Sequence, residues 1–235
     1  MTDHISSAYD RDLEQITTLI VKMGGLVEDA ILKAARSLAE RDVELAEEVR
    51  NADQAIDDLE EQINEEAART IALRAPVSKD LRAILTVLRL AASLERIGDY
   101  AKNIAKRTSV LVEMQPVSGS DTALRRMARE VEGMLKDTLD AYVRGDAELA
   151  EDVRQRDHEV DQMYNALFRE FLTFMMEDPR NITACMHLHF MAKNIERMGD
   201  LTTNMAEQVI YLVTGEMPDE ARPKGDRTSF VTHPR

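Results

Sequence analysis

Apolar residues recur along this chain every three to four positions, in long runs broken by short polar turns. That period is the signature of helices with one buried face. Caps and prolines divide the runs into six predicted helices, roughly 8–40, 42–73, 77–113, 121–144, 146–177 and 181–213. Asp42 opens the second, Pro76-Val77-Ser78 separates the second from the third, and Asp178-Pro179 breaks the last pair. Gly145-Asp146 reads as a helix-ending glycine followed by an N-cap. Gly24-Gly25 is expected to interrupt and kink the first helix, since glycine costs about 1 kcal/mol inside one. The connections are short, so consecutive helices should run antiparallel.

Composition supports the pattern. Among 235 residues there are only nine glycines and six prolines, no tryptophan, and 4% aromatics. A sandwich or barrel needs frequent turn residues and many β-branched and aromatic positions. The fold class is therefore all-α. The formal charge of −14 repels a phosphate backbone and speaks against nucleic acid or anionic lipid as the main ligand. Cys185 is the only cysteine, which removes intrachain disulfides, zinc fingers and iron–sulfur clusters. The N-terminus shows no apolar signal segment and no run is long enough to span a bilayer, so the expected location is cytoplasmic.

The chain repeats itself. DVELAEEVRNADQAID from Asp42 matches DAELAEDVRQRDHEVD from Asp146 at nine of sixteen positions. AASLERIGDYAKNIAK from Ala91 matches AKNIERMGDLTTNMAE from Ala192 at seven of sixteen. A duplicated three-helix unit explains both. The expected architecture is two tandem pseudo-symmetric three-helix bundles, residues 8–114 and 120–214, joined at the Ser-Gly-Ser linker, with a disordered tail at 215–235.

Each half keeps two acidic pairs at a spacing of four. The first has Asp53 with Asp57 and Glu95 with Asp99; the second has Asp157 with Asp161 and Glu196 with Asp200. That spacing puts both carboxylates on one helix face. Two unit charges 4 Å apart interact by about 4 kcal/mol at an effective dielectric near 20, so clustered carboxylates need protons, basic neighbours or a cation. All-oxygen donors favour hard ions such as Mg²⁺, Mn²⁺ or Ca²⁺, with iron admissible. One cation site per bundle is the sharper reading. The plainer one is a solvated acidic face, with Arg96, Lys102 and Arg197 neutralising carboxylates in salt bridges, because forty-four acidic residues give about eight such pairs by chance.

Gly98 and Gly199 sit inside the second pair of each half and imply close packing or close approach. Asn103 and Asn204 are secondary candidates as oxygen donors, and His189 shares the face of Glu196. Cys185 and the methionines at 175, 176, 186, 191, 198 and 205 read as core filling, with a docking surface as the alternative for the methionines. No phosphate-cradling loop, nucleophile elbow or zinc-protease motif is present, and neither half has the Glu-x-x-His pair of di-iron proteins.

Two halves that each carry D-x-x-x-D followed by E-R-x-G-D-x-x-x-N, here Glu95-Arg96-Ile97-Gly98-Asp99 and Glu196-Arg197-Met198-Gly199-Asp200, resemble the PhoU family over residues 8–214. The resemblance implies a non-enzymatic, cytoplasmic negative regulator of phosphate uptake and of the phosphate-starvation response. It implies two partners, the ATPase subunit of the phosphate ABC transporter and the phosphate sensor histidine kinase, with membrane association only through them. It also implies frequent homodimers, and metal-binding patches (Mg, Mn, Fe or Zn) at the eight carboxylates named above. Two rival readings stay open: a helical accessory protein of another phosphate transporter, and a metal-dependent enzyme using the carboxylates.

Overall fold

A computed structural model describes residues 2–218, with side chains from residue 8 onward. Six α-helices follow one another among these residues: α1 Thr2–Glu40, α2 Val43–Arg74, α3 Lys79–Leu111, α4 Ser120–Arg144, α5 Ala147–Glu177 and α6 Ile182–Thr214. A short 3₁₀ turn, Pro179–Asn181, precedes α6. The expected tail falls mostly on residues 219–235, which lie outside the described residues.

The duplicated turns are built alike. Asp42 caps α2 by accepting from the Leu45 amide at 2.9 Å, and Asp146 caps α5 by accepting from Leu149 at 3.0 Å. The residue before each cap is left-handed, Arg41 at φ 53° and Gly145 at φ 64°. Glycine takes that conformation freely, whereas a residue with a Cβ does so at a cost of about 1 kcal/mol. Arg41 offsets the strain with its side chain: its guanidinium donates to the carbonyls of Val112 and Met114, tying the end of α1 to the interbundle linker.

α1, α2 and α3 pack on one another, as do α4, α5 and α6, and the bundles join through α1 on α4 and α3 on α6. The buried apolar side chains therefore form one continuous core. It runs from Ile16, Ile20 and Met23 of α1 through Ile84, Leu90 and Ile97 of α3 to Leu124, Val131, Phe171 and Ile195 of the second half. Each such side chain contributes about 1.5–3 kcal/mol of apolar burial. α2 and α5 touch only their own bundle and lie on the outside.

α1 runs unbroken through Gly24 and Gly25, which corrects the expected interruption. A Cβ on Gly24 would lie 2.3 Å from Leu139 Cδ1. The glycine thus lets α4 approach α1 across the bundle seam, and interbundle packing outweighs its low helix propensity. The methionines divide: Met191, Met198 and Met205 are buried, while Met176 and Met186 are exposed. Cys185 is fully buried, and that burial pushes its thiol pKa up.

Candidate functional site

The four predicted acidic pairs lie on two outer seams, between α2 and α3 in the first bundle and between α5 and α6 in the second. Glycine shapes each seam. A Cβ on Gly98 would lie 3.0 Å from Ile56 and 3.7 Å from Asp53 Oδ1; on Gly199 it would lie 3.3 Å from Val160 and 3.6 Å from Asp157 Oδ1. The repeated glycine brings the two helices close enough for carboxylates of one to face those of the other.

In the first bundle Asp53 is buried, whereas Asp57, Glu95 and Asp99 are half-buried or more open. Lys102, one turn beyond Asp99, forms an ion pair with Asp53 and lies 3.7 Å from Asp99. Its pKa is raised, chiefly by the hydrogen bond to Asp53. One lysine does not neutralise the whole group. Burial, then the charge of Asp53, pushes the Asp57 pKa up; burial, then Asp99 and Glu60, does the same to Glu95.

In the second bundle Asp157, Asp161 and Glu196 are all buried, with Asp200 on the rim. The position of Lys102 is taken by Thr203, fully buried, whose hydroxyl donates to Asp157 Oδ1 at 3.2 Å and to the Gly199 carbonyl at 3.0 Å. The cation instead comes from Lys193, whose Nζ lies 2.6 Å from Glu196 Oε1 and 4.9 Å from the centre of the Tyr164 ring. Tyr164 stands where the first half has Glu60.

Among the described residues, no three His, Cys, Asp or Glu side chains come together closely enough to hold a metal ion. As they stand, the eight carboxylates form two clusters, each with one lysine paired to part of it, rather than cages of converging donors. Their chemistry nonetheless suits a hard cation: the donors are oxygens, and in the first bundle burial, with neighbouring acids second, pushes the Asp57 and Glu95 pKa values up. An ion would have to displace Lys102 or Lys193.

The secondary candidates are placed differently. Asn103 and Asn204 are exposed. His189 packs among aromatic rings, 5.9 Å from Tyr164, 5.3 Å from Phe168 and 6.0 Å from Phe190. Arg96 and Arg197, expected to neutralise the carboxylates, are exposed and make no ion pair with them among the described residues. They line an open groove beside the α3–α6 seam, where Arg197 lies 6.0 Å from the Tyr100 ring. The sequence expectations name neither Lys193 as the paired cation nor Thr203 as a hydrogen-bond donor to Asp157. Aligning the halves marks them, since the lysine of one half is threonine in the other and a new lysine stands where the first half has Ala92.

Comparison with known proteins bears on the two-bundle fold. The family model described as "PhoU domain" matches residues 20–108 and 124–209, one match per bundle. The "Phosphate-specific transport system accessory protein PhoU homolog" of Rhizobium meliloti is 47% identical, covering 97% of this chain and 96% of that one. The protein of the same description from Caulobacter vibrioides is 46% identical over 96% of this chain and 98% of its own. The crystal structure of PhoU from Pseudomonas aeruginosa superposes with a TM-score of 0.86 at 38% identity, covering 88% of this chain and all of that one. PhoU from Streptococcus pneumoniae, described as a phosphate transport system regulatory protein, gives 0.83 at 32% identity over 90% of this chain. With both bundles matched and relatives aligned almost end to end, the chain belongs to the PhoU family.

Proposed function

We propose that this protein is an accessory regulator of phosphate transport that restrains uptake and the phosphate-starvation response by docking to other proteins. The observation that carries this reading is the match of both bundles, over nearly the whole chain, to proteins described as phosphate-specific transport system accessory proteins. Its partners, on this reading, are the ATPase subunit of the phosphate ABC transporter and the phosphate sensor kinase. The continuous core supports the role, because six helices sharing one interior hold two pseudo-repeated surfaces in fixed relation. No helix among the described residues is long and apolar enough to cross a membrane. On this reading, attachment to a membrane transporter runs through protein contacts at the cytoplasmic face.

Metal binding belongs to the same proposal. Asp53, Asp57, Glu95 and Asp99 would hold one cation, and Asp157, Asp161, Glu196 and Asp200 another. The ion would supply the positive charge that Lys102 and Lys193 now provide. Calorimetric titration with Mn²⁺ should show tighter binding to Lys102→Ala than to the wild type; equal affinity would place the ion elsewhere.

The adaptor reading is tested by pull-down of the purified protein against the ATPase subunit and the sensor kinase, with and without Mn²⁺. A phosphate-responsive reporter in cells lacking the gene completes the test. Saturable binding and restored repression are expected. Absence of both would overturn the reading.

A further inference from the structure

One end of the second bundle carries a basic groove on this acidic protein. Arg125, Arg126 and Arg129 of α4, with Ala39 at the end of α1, line an open groove of about 440 Å³. Arg126 and Arg129 are exposed and Arg125 is half-buried, and among the described residues none of the three forms an ion pair. Other arginines of the bundle behave differently: Arg144 holds Asp140, Arg154 holds Glu151 and Glu207, and Arg156 holds Glu130 and Asp137. Glu130 also lines the groove, but it is paired with Arg156, whose guanidinium donates twice to its Oε1, at 3.1 and 2.9 Å. Asp121 at the rim is the remaining acid of the lining.

The internal repeat shows that the fold does not require three guanidinium groups here. At the offset that pairs Asp146 with Asp42, the three positions correspond to Val21, Lys22 and Gly25 of α1. The first bundle builds the same helix without a guanidinium at any of them.

A second cavity adjoins the groove. It measures about 150 Å³ beside the linker turn at Pro116, and its lining is mixed: Leu38, Leu111, Val117 and Leu188 with Arg41 and Gln115. That is room for about one leucine or phenylalanine side chain. Ala39 and Asp121 belong to both linings, so this partly apolar hole opens beside the cationic track.

We infer that the groove and cavity together dock an acidic peptide segment of a partner protein, anchored by one large apolar side chain. Guanidinium forks bind carboxylates in two-point contacts, and a buried apolar anchor beside them is the usual centre of an interface. Screening confines attraction to about 8 Å at physiological salt, so a narrow segment in the groove feels the lining, where three arginines outnumber Asp121 and the Arg156-paired Glu130, rather than the carboxylates elsewhere. A flat anionic membrane would instead meet the acidic surroundings. Residues 219–235 of this chain are unsuited as occupant, since they carry four basic and three acidic side chains. The surface gives the regulator reading a docking site and rests on that reading for its biological sense.

The test is fluorescence anisotropy with a labelled peptide of glutamates around a central phenylalanine. Saturable, salt-sensitive binding to the wild type is expected. It should weaken by about tenfold or more when Arg126 and Arg129 are both changed to Glu, when Ala39→Trp closes the shared rim, or when the peptide phenylalanine becomes alanine. Circular dichroism and unfolding midpoints establish that each variant is folded. Absence of saturable binding, or binding indifferent to the arginine reversals, overturns the inference. So does arginine-dependent binding to phosphatidylglycerol vesicles without binding to the peptide. Neither ATPase nor kinase is present in this assay. A failed pull-down with an intact peptide site would remove the named partners, and the converse would remove only the surface.

Discussion

The two acidic seams descend from one sequence and solve the same electrostatic problem in different ways. The first is open and shares one lysine, Lys102, 42% exposed, between Asp53 and Asp99. The second is closed, with three buried carboxylates, a buried hydroxyl from Thr203, and Lys193, 28% exposed, set against Glu196 and Tyr164. Charge left in contact with water is screened, and its partners can be exchanged at little cost. Charge removed from water must be satisfied by fixed neighbours, and deleting one of them is expensive. The second seam should therefore behave as structure. The first has the looser carboxylates that an incoming cation or partner could engage.

The sharpest way to break this contrast is to move the first bundle's solution into the second. Thr203→Lys forces a long charged side chain into a fully buried position and should cost about 3 kcal/mol or more, read as a lowered urea midpoint. Next, Lys193→Ala withdraws the cation from buried Glu196 and should cost about 2–3 kcal/mol. Lys102→Ala should cost less, about 1–2 kcal/mol, because its head is more exposed. Lys102→Thr should recover part of that loss by donating to Asp53 as Thr203 donates to Asp157. If Lys102→Ala proves costlier than Lys193→Ala, the assignment of open and closed seams is wrong.

The smallest effect concerns pH. Asp57 and Glu95 titrate above their ordinary values of 3.8 and 4.5, because burial and neighbouring acids penalise their charged forms. Between the ordinary and the raised pKa the folded chain holds more protons than the unfolded one, so stability falls as pH rises through that window. The penalty is complete above the folded pKa and absent below the unfolded one. Glu95→Gln should flatten this part of the stability profile, measured by urea unfolding across mildly acidic buffers. An unchanged slope would show that Glu95 is not crowded.

The helices, their order, their duplication and the positions of the eight carboxylates were legible in the sequence, because periodicity, caps and the repeat are local or one-dimensional signals. Helix ends fell within about two residues of expectation except at α1, which begins earlier. Gly24 shows where local reasoning fails. Its effect on α1 alone is unfavourable, but it faces Leu139 of another bundle, a contact separated by more than a hundred residues. The likeness of the two E-R-x-G-D motifs likewise suggested that their arginines serve the acids, whereas tertiary packing turns both toward the α3–α6 seam.

The sequence by itself determined six amphipathic helices in two copies of one unit, with carboxylates repeated on matching faces. That followed because a 3.6-residue period is imposed residue by residue along a single helix. Only the tertiary structure decided which carboxylates lost their water, which lysine each seam recruited, and that three arginines of α4 line a groove without an ion pair among the described residues. Burial and pairing depend on the neighbouring helices, and those neighbours are chosen by the shared core rather than by adjacency in the chain.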